Sequence, residues 1–290
     1  MECELWDRLY VLVKETAKVC RSSGVQYSDA IVVLVFLWAA LHDRPIAWAC
    51  QLRNWNTTRL RPLEFPSDST MSRRLETASV HVFQAALAAR IHNTGDADLI
   101  ELIELIDGKS LTVGGCSKDP DAKCGRAAGG MARGYKLYSI WSSHPFPDAW
   151  DVRPLNVNEV RVAQDLVPQL TGAGYLLGDT QYDSSPLHDL CLSHHYQLVA
   201  PGSRTATGRG HTYQSPHRHH ALEMLKREFG QKLIAIRRRI ERLFGNFTSF
   251  GCGLAPLPAW VRRLHRVRRW VWAKLVINGI RIQLSQGLTA

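Results

Sequence analysis

Apolar runs long enough to span a bilayer are missing from this 290-residue chain. The longest, Ala30 to Leu41, has twelve residues between Asp29 and His42, against about 20 for a membrane-spanning helix. It reads as a buried helix, and no membrane partner is expected. The opening Met1-Glu2-Cys3-Glu4 is acidic where a secretory signal would be basic, so a cytoplasmic location is expected. The seven cysteines (3, 20, 50, 116, 124, 191, 252) are odd in number and form no CxxC pair, which favours free thiols over a disulfide framework. Cys116 and Cys124 could hold zinc only with two ligands from elsewhere. A phosphate-cradling glycine loop, a Ser-His-Asp order and a dinucleotide fingerprint are absent too, and with them the support for several other enzyme classes.

Acids are scarce in one region. From Lys226 to Arg281 fourteen Lys/Arg face only Glu228 and Glu241, a local net of +12 that leaves the rest at −2 within the total of +10. A basic surface so concentrated is the footprint of a polyanionic partner. A membrane surface fits less well, because the basic residues alternate with Trp, Leu and Ile in a way that also serves a folded helix. The composition, 45% apolar and 21% charged, is that of a globular chain with a core rather than a disordered tail.

Residues 1–95 read as helical: Leu5, Leu9, Leu12 and Val13, then Ile31, Leu34, Val35 and Trp38, recur at helical spacing. In Phe65-Pro66-Ser67-Asp68-Ser69-Thr70-Met71-Ser72-Arg73-Arg74-Leu75 a proline ends one element and Ser67, Asp68 or Ser69 can cap the next. A short helix presenting Arg73 and Arg74 suits the DNA-reading helix of a helix-turn-helix. It also suits a plain capped surface helix.

From Leu99 the pattern changes. Apolar runs ending on acids, Leu99 to Asp107 and Tyr175 to Asp179, read as strands, as do Tyr135–Trp141, Trp150–Leu155 and Gln197–Ala200. Helices are expected over 160–170, 186–195, 222–250 and 260–284, and a loop rich in Gly, Lys and Asp over 114–134. That order describes an α/β fold, a mixed sheet flanked by helices on both faces. It gives an all-α N-terminal domain over 1–95, an α/β domain over 96–255, and a basic C-terminal helix over 256–290 packing on the α/β domain. The histidines of 188–220 form either a zinc site or, as Arg204, Arg209 and Arg218 favour, a solvated cationic loop near DNA. The arginine-rich Trp260–Trp270 stretch is read as a helix with one core face and one phosphate-contacting face.

Cutting a phosphodiester at neutral pH needs an activated nucleophile and stabilisation of the leaving oxygen, and two divalent ions supply both. Such ions are held by a few carboxylates converging from distant parts of the chain. Asp107 and Asp179, at the ends of apolar runs, can converge if their strands are neighbours, since paired strands lie under about 5 Å apart. Glu241 offers a third carboxylate on a helix whose Ile240, Leu243, Phe244 and Phe247 face inward, with Arg237 and Arg238 nearby. Each acid alone suits a strand end or a helix surface; the three in this order favour a metal site.

Three blocks, Ile106-Asp107-Gly108-Lys109, Gly178-Asp179-Thr180-Gln181-Tyr182-Asp183 and Arg237-Arg238-Arg239-Ile240-Glu241-Arg242-Leu243-Phe244, resemble those of the DDE transposases of bacterial insertion sequences. The resemblance covers roughly residues 99 to 250. It implies a ribonuclease-H-like sheet preceded by a helix-turn-helix-like domain. It implies a catalytic and metal-binding triad of Asp107, Asp179 and Glu241 with two Mg²⁺ ions (Mn²⁺ substituting), and an active-site loop shaped by Tyr182 and Asp183. Contacts to DNA are expected from Arg73, Arg74, Lys109, Arg133, Lys136, Arg237 and Arg238. One related branch has Tyr, Arg and Lys at −7, −4 and +7 from the glutamate; here Ile234, Arg237 and Thr248 stand there, which implies a sister branch. The implied activity is binding of a mobile element's terminal inverted repeats, cleavage that frees 3′-hydroxyl ends, and joining of those ends to target DNA. A homodimer on double-stranded DNA in the nucleoid is implied as well. Two alternatives remain: a metal-dependent nuclease without joining activity, and a DNA-binding protein whose catalytic domain is inactive.

Overall fold

A helix apolar on every side has to be buried on every side, and the Ala30–Leu41 run imposes this on the N-terminal part of the chain. The computed structural model describes residues 2–20, 24–56, 58, 60–93, 102–202, 214–249, 253–254 and 257–287. The expected strand residues 99–101 and the loop arginines Arg204 and Arg209 lie outside the described residues. Two compact units emerge: Met1–Gly95 with Gly251–Leu254 and Arg269–Ala290, and Asp96–Phe250 with Ala255–Arg268.

In the first unit, helices α1 (Glu2–Val19), α3 (Ile46–Ala49), α4 (Asp68–Arg74) and α5 (Ala78–His92) pack around or beside α2 (Asp29–Leu41). Ser28 caps α2 by accepting from the Ile31 amide at 3.4 Å. Three indoles lock this unit: Trp38 lies 4.6 Å from both Trp6 and Trp55, centroid to centroid. Each indole N–H reaches a backbone carbonyl, of Leu60, Asn54 and Ala49 for Trp6, Trp38 and Trp55, as buried tryptophans require.

The second unit is built on a sheet of β1 (Ile103–Thr112), β2 (Lys123–Ala127), β3 (Gly130–Trp141), β4 (Ala149–Pro154), β5 (Gly174–Leu177) and β6 (Tyr196–Val199). The order is β2-β3-β1-β5-β6, with β4 also paired to β3. Pairing is antiparallel from β2 and β4 through β3 to β1, and parallel from β1 through β5 to β6. The expected mixed sheet is thus present, with β2 as an unforeseen strand inside the expected loop. Helices α6 (Glu159–Leu166) and α7 (Ser185–Ser193) contribute Val162, Leu166, Leu187 and Cys191 to a buried core with Ile106, Ile140, Leu176 and Leu198 of the sheet. The helix expected over 222–250 is three helices, α8 (Pro216–Leu225), α9 (Glu228–Ile236) and α10 (Arg238–Ser249). The last of them packs on β1.

Helix α11 (Leu264–Ser285) departs from the expectation that 256–290 packs on the α/β domain: from Arg269 onward it belongs to the first unit. The reason is in its side chains. Val271 to Ile280 are buried on all sides, and Lys274, itself fully buried, donates to the Ala40 carbonyl at 2.7 Å and to Asp43 at 2.6 Å. Its ammonium thereby satisfies a carbonyl at the C-terminal end of α2. The arginines nearer its start are engaged too: Arg268 donates to the Val152 carbonyl and pairs with Asp151, and Arg262 donates to Pro258 and Val261 carbonyls. Arg263 and Arg266 remain exposed.

β5 begins at a glycine for a physical reason. Gly174 has φ +136°, and a Cβ there would stand 2.3 Å from the Leu102 carbonyl oxygen. Gly174→Ala is therefore expected to cost about 2–4 kcal/mol of stability, read as a lowered urea midpoint with unchanged slope. A cost below about 0.5 kcal/mol would show that this backbone relaxes freely.

Candidate active site

Strand register puts the first two acids level with each other. In the parallel pair, Leu105 stands opposite Leu177, and Asp107 and Asp179 each follow two residues later. Side chains two apart share a sheet face, so both carboxylates leave on one side, opposite to Ile106 in the α6–α7 core. Asp107 is not at a strand end as expected: β1 continues to Thr112, with Asp107 opposite Ser139 of β3. What ends near Asp107 is the shorter pairing with β5.

Each acid is held by its own backbone. Asp107 Oδ1 accepts from the Gly108 amide at 2.7 Å, and Asp179 Oδ1 accepts from the Gln181 amide at 2.8 Å, capping the single 3₁₀ turn Thr180–Tyr182. Beneath that turn the fully buried Tyr182 ring lies against Gly178, where a Cβ would come within 3.0 Å of Tyr182 Cδ2 and 3.2 Å of Ile106 Cγ2. Burial pushes the Tyr182 phenol well above its ordinary range, Glu159, Asp107 and Asp179 adding to the shift; it stays protonated and acts as packing.

Glu241 arrives from α10, anchored by buried Ile240, Phe244 and Phe247. Arg237 sits at the break between α9 and α10, and its guanidinium reaches all three acids. Nη2 is 3.4 Å from Asp107 Oδ2 and 4.0 Å from Asp179 Oδ2, while Nη1 is 3.6 Å from Glu241 Oε1. Burial raises the Asp107 carboxyl above its ordinary pKa of 3.8 and Asp179 adds to this, against the Gly108 amide, Arg237 and Lys136. A cation beside Asp107 would relieve that cost. The three carboxylates meet at Arg237 without all their oxygens coming within 4.8 Å of one another; as hard oxygen donors they are of the kind that suits Mg²⁺ or Mn²⁺, so the donor set fits such an ion.

The remaining expected site residues divide. Lys109, half-buried, shares the Asp107 face of β1, and Arg238 is exposed beside the site on α10. Lys136 is instead tied to Glu159 at 2.5 Å. Arg133 donates to the carbonyls of Ala122, Ser117 and Asp119 and so braces the 117–122 loop. In the first unit Ser67 caps α4, Arg73 is exposed, and Arg74 is paired to the buried Asp29.

Asp183 is held by a different arginine. Its fully buried carboxylate takes a bidentate pair from Arg218 of α8, Nε to Oδ1 at 2.6 Å and Nη2 to Oδ2 at 2.7 Å, with His188 Nε2 3.5 Å away. The carboxylate raises the guanidinium's pKa in turn. Arg218 is therefore a buried clamp just after the turn that Asp179 caps rather than part of a solvated cationic loop, and the sequence reading missed it.

The family described as Transposase DDE domain matches residues 101–278, a span that contains all three acids. The chain belongs to that family. Among solved structures, a piggyBac transposase synaptic complex with hairpin DNA, seen by cryo-electron microscopy, is similar at a TM-score of 0.44 and 12% identity, covering 100% of this chain and 76% of that one. No curated protein matches the chain. Among the described residues no helix is long and apolar enough to cross a membrane.

Proposed function

We propose that this protein is the transposase of a mobile element of the insertion-sequence kind, with a ribonuclease-H-like core, acting on DNA in the nucleoid. The observation that carries the reading is the meeting of Asp107 on β1, Asp179 just after β5 and Glu241 on α10 around one guanidinium. The three carboxylates would hold two Mg²⁺ ions. Those ions, when bound, activate the attacking oxygen and neutralise the leaving one. The chain's own residues do the rest. The backbone amides of Gly108 and Gln181 orient Asp107 and Asp179, and the Asp183–Arg218 pair steadies the turn that carries Asp179.

Exposed Arg238, Arg239 and Arg242 on α10, with Lys109 beside Asp107, lie where DNA phosphates would be gripped, a contact that gives salt-sensitive affinity with little base preference. Residues 1–95 would recognise the terminal inverted repeats, helix-turn-helix fashion, with α4 presenting Arg73. Both ends of the element must be handled together, which calls for a homodimer on DNA.

The test is cleavage of a labelled duplex carrying the element's own end, with Mg²⁺ or Mn²⁺, by wild type and Asp179→Asn. Nicks with a 3′-hydroxyl from wild type alone, followed by joining to a second duplex, are expected. Cleavage without joining would make the protein a nuclease. Binding by both proteins with cutting by neither would leave a DNA-binding protein with an idle site.

A further inference from the structure

We infer that Arg237 is an exchangeable counter-ion, standing between the acids in the metal-free protein and displaced when divalent ions bind; this rests on the metal-site reading above. Its three contacts, at 3.4, 3.6 and 4.0 Å, are all longer than a charge-assisted hydrogen bond of about 2.7–2.9 Å. Asp107 and Asp179 keep their shorter bonds to backbone amides, at 2.7 and 2.8 Å. Those two carboxylates are therefore held in place without Arg237, and the guanidinium can leave without releasing them.

The residue is also placed to move. Arg237 lies at the junction of α9 and α10, where its amide bonds to Ile234 and its carbonyl accepts from Ile240, three residues either way, so the regular ladder is interrupted there. Its buried Nε has no hydrogen-bond partner among the described residues, a cost that a different rotamer can remove. Glu241, with its side chain 62% exposed, is free to swing with it.

Charge sets the direction of the exchange. Three ionised carboxylates and one guanidinium sum to −2, the charge one divalent ion neutralises. Nη2 stands within 4.0 Å of both Asp107 Oδ2 and Asp179 Oδ2, so an ion held by those carboxylates would meet a like charge in a partly buried site, where repulsion is strong. Expelled toward solvent, the guanidinium becomes a phosphate ligand beside Arg238. Metal loading and DNA grip are then coupled through one side chain.

The experiment measures Mn²⁺ affinity of the full-length, DNA-free protein by electron paramagnetic resonance, for wild type, Arg237→Gln, Arg237→Lys and Asp107→Asn. Arg237→Gln is expected to bind Mn²⁺ about tenfold more tightly than wild type, with Arg237→Lys close to wild type and Asp107→Asn binding weakly. Arg237→Gln binding no more tightly than a wild type that does bind would overturn the exchange and make Arg237 a fixed part of the site. Absence of Asp107-dependent Mn²⁺ binding in both wild type and Arg237→Gln would remove the metal reading, and the exchange with it.

Discussion

Asp107→Asn is expected to lower DNA-end cleavage by about a thousandfold or more while leaving the metal-free protein at least as stable at neutral pH. Asn keeps the oxygen that accepts from the Gly108 amide, so local geometry survives. What it removes is a carboxylate whose burial raises its pKa above 3.8. A raised folded-state pKa means that the stability contributed by the protonated acid is full below about 3.8 and is lost as pH rises through the folded value. The neutral Asn escapes that loss. Its stability relative to wild type should therefore grow as pH climbs through this window and then level off, as read by thermal melts in chelator from pH 3.5 to 7.5. Excess Mn²⁺ should raise the melting temperature of wild type and not of the variant. A variant markedly less stable than wild type at pH 7 would mean that the ion pair with Arg237 outweighs the burial of the carboxylate.

The second large effect lies at Arg218. Arg218→Met would leave the Asp183 carboxylate, with a side chain at 0% exposure, buried without its bidentate partner, and breaking such a pair costs about 3–5 kcal/mol. His188 cannot replace the guanidinium, because at 3.5 Å it meets only one oxygen. Arg218→Lys restores charge but not the fork and should fall between the two. Adding Asp183→Asn to Arg218→Met should recover part of the loss, since the buried charge that lost its guanidinium is then gone. Urea unfolding of the four proteins provides the comparison. A loss under about 1 kcal/mol for Arg218→Met would place the pair among weak, solvent-screened bridges.

Those two sites differ in how far the sequence disclosed them. Asp107 and Asp179 were legible because each follows an apolar run, and a buried parallel strand leaves that signature. Glu241 was legible because acids are so scarce around it. The Asp183–Arg218 clamp was not: 35 residues separate its partners, and a buried arginine looks the same in sequence as an exposed one. β2 was missed because Lys123–Ala127 buries only Gly125, so no alternation marks it. The breaks on either side of α9 fall among good helix formers, at Lys226–Arg227 and at Arg237, so nothing local announces them. Lys136 and Arg133 carried the charge expected of phosphate ligands, but side-chain charge does not reveal that Glu159 and three loop carbonyls already claim them.

The pairing of Leu105 with Leu177 has a consequence for a protein proposed to cut genomes. A slip of one residue between β1 and β5 would send Asp179 to the opposite face of the sheet, into the apolar layer beneath α6 and α7. Such a chain would no longer bring Asp107 and Asp179 to one face. If the protein cuts DNA as proposed, that competence depends on correct alignment of these two strands.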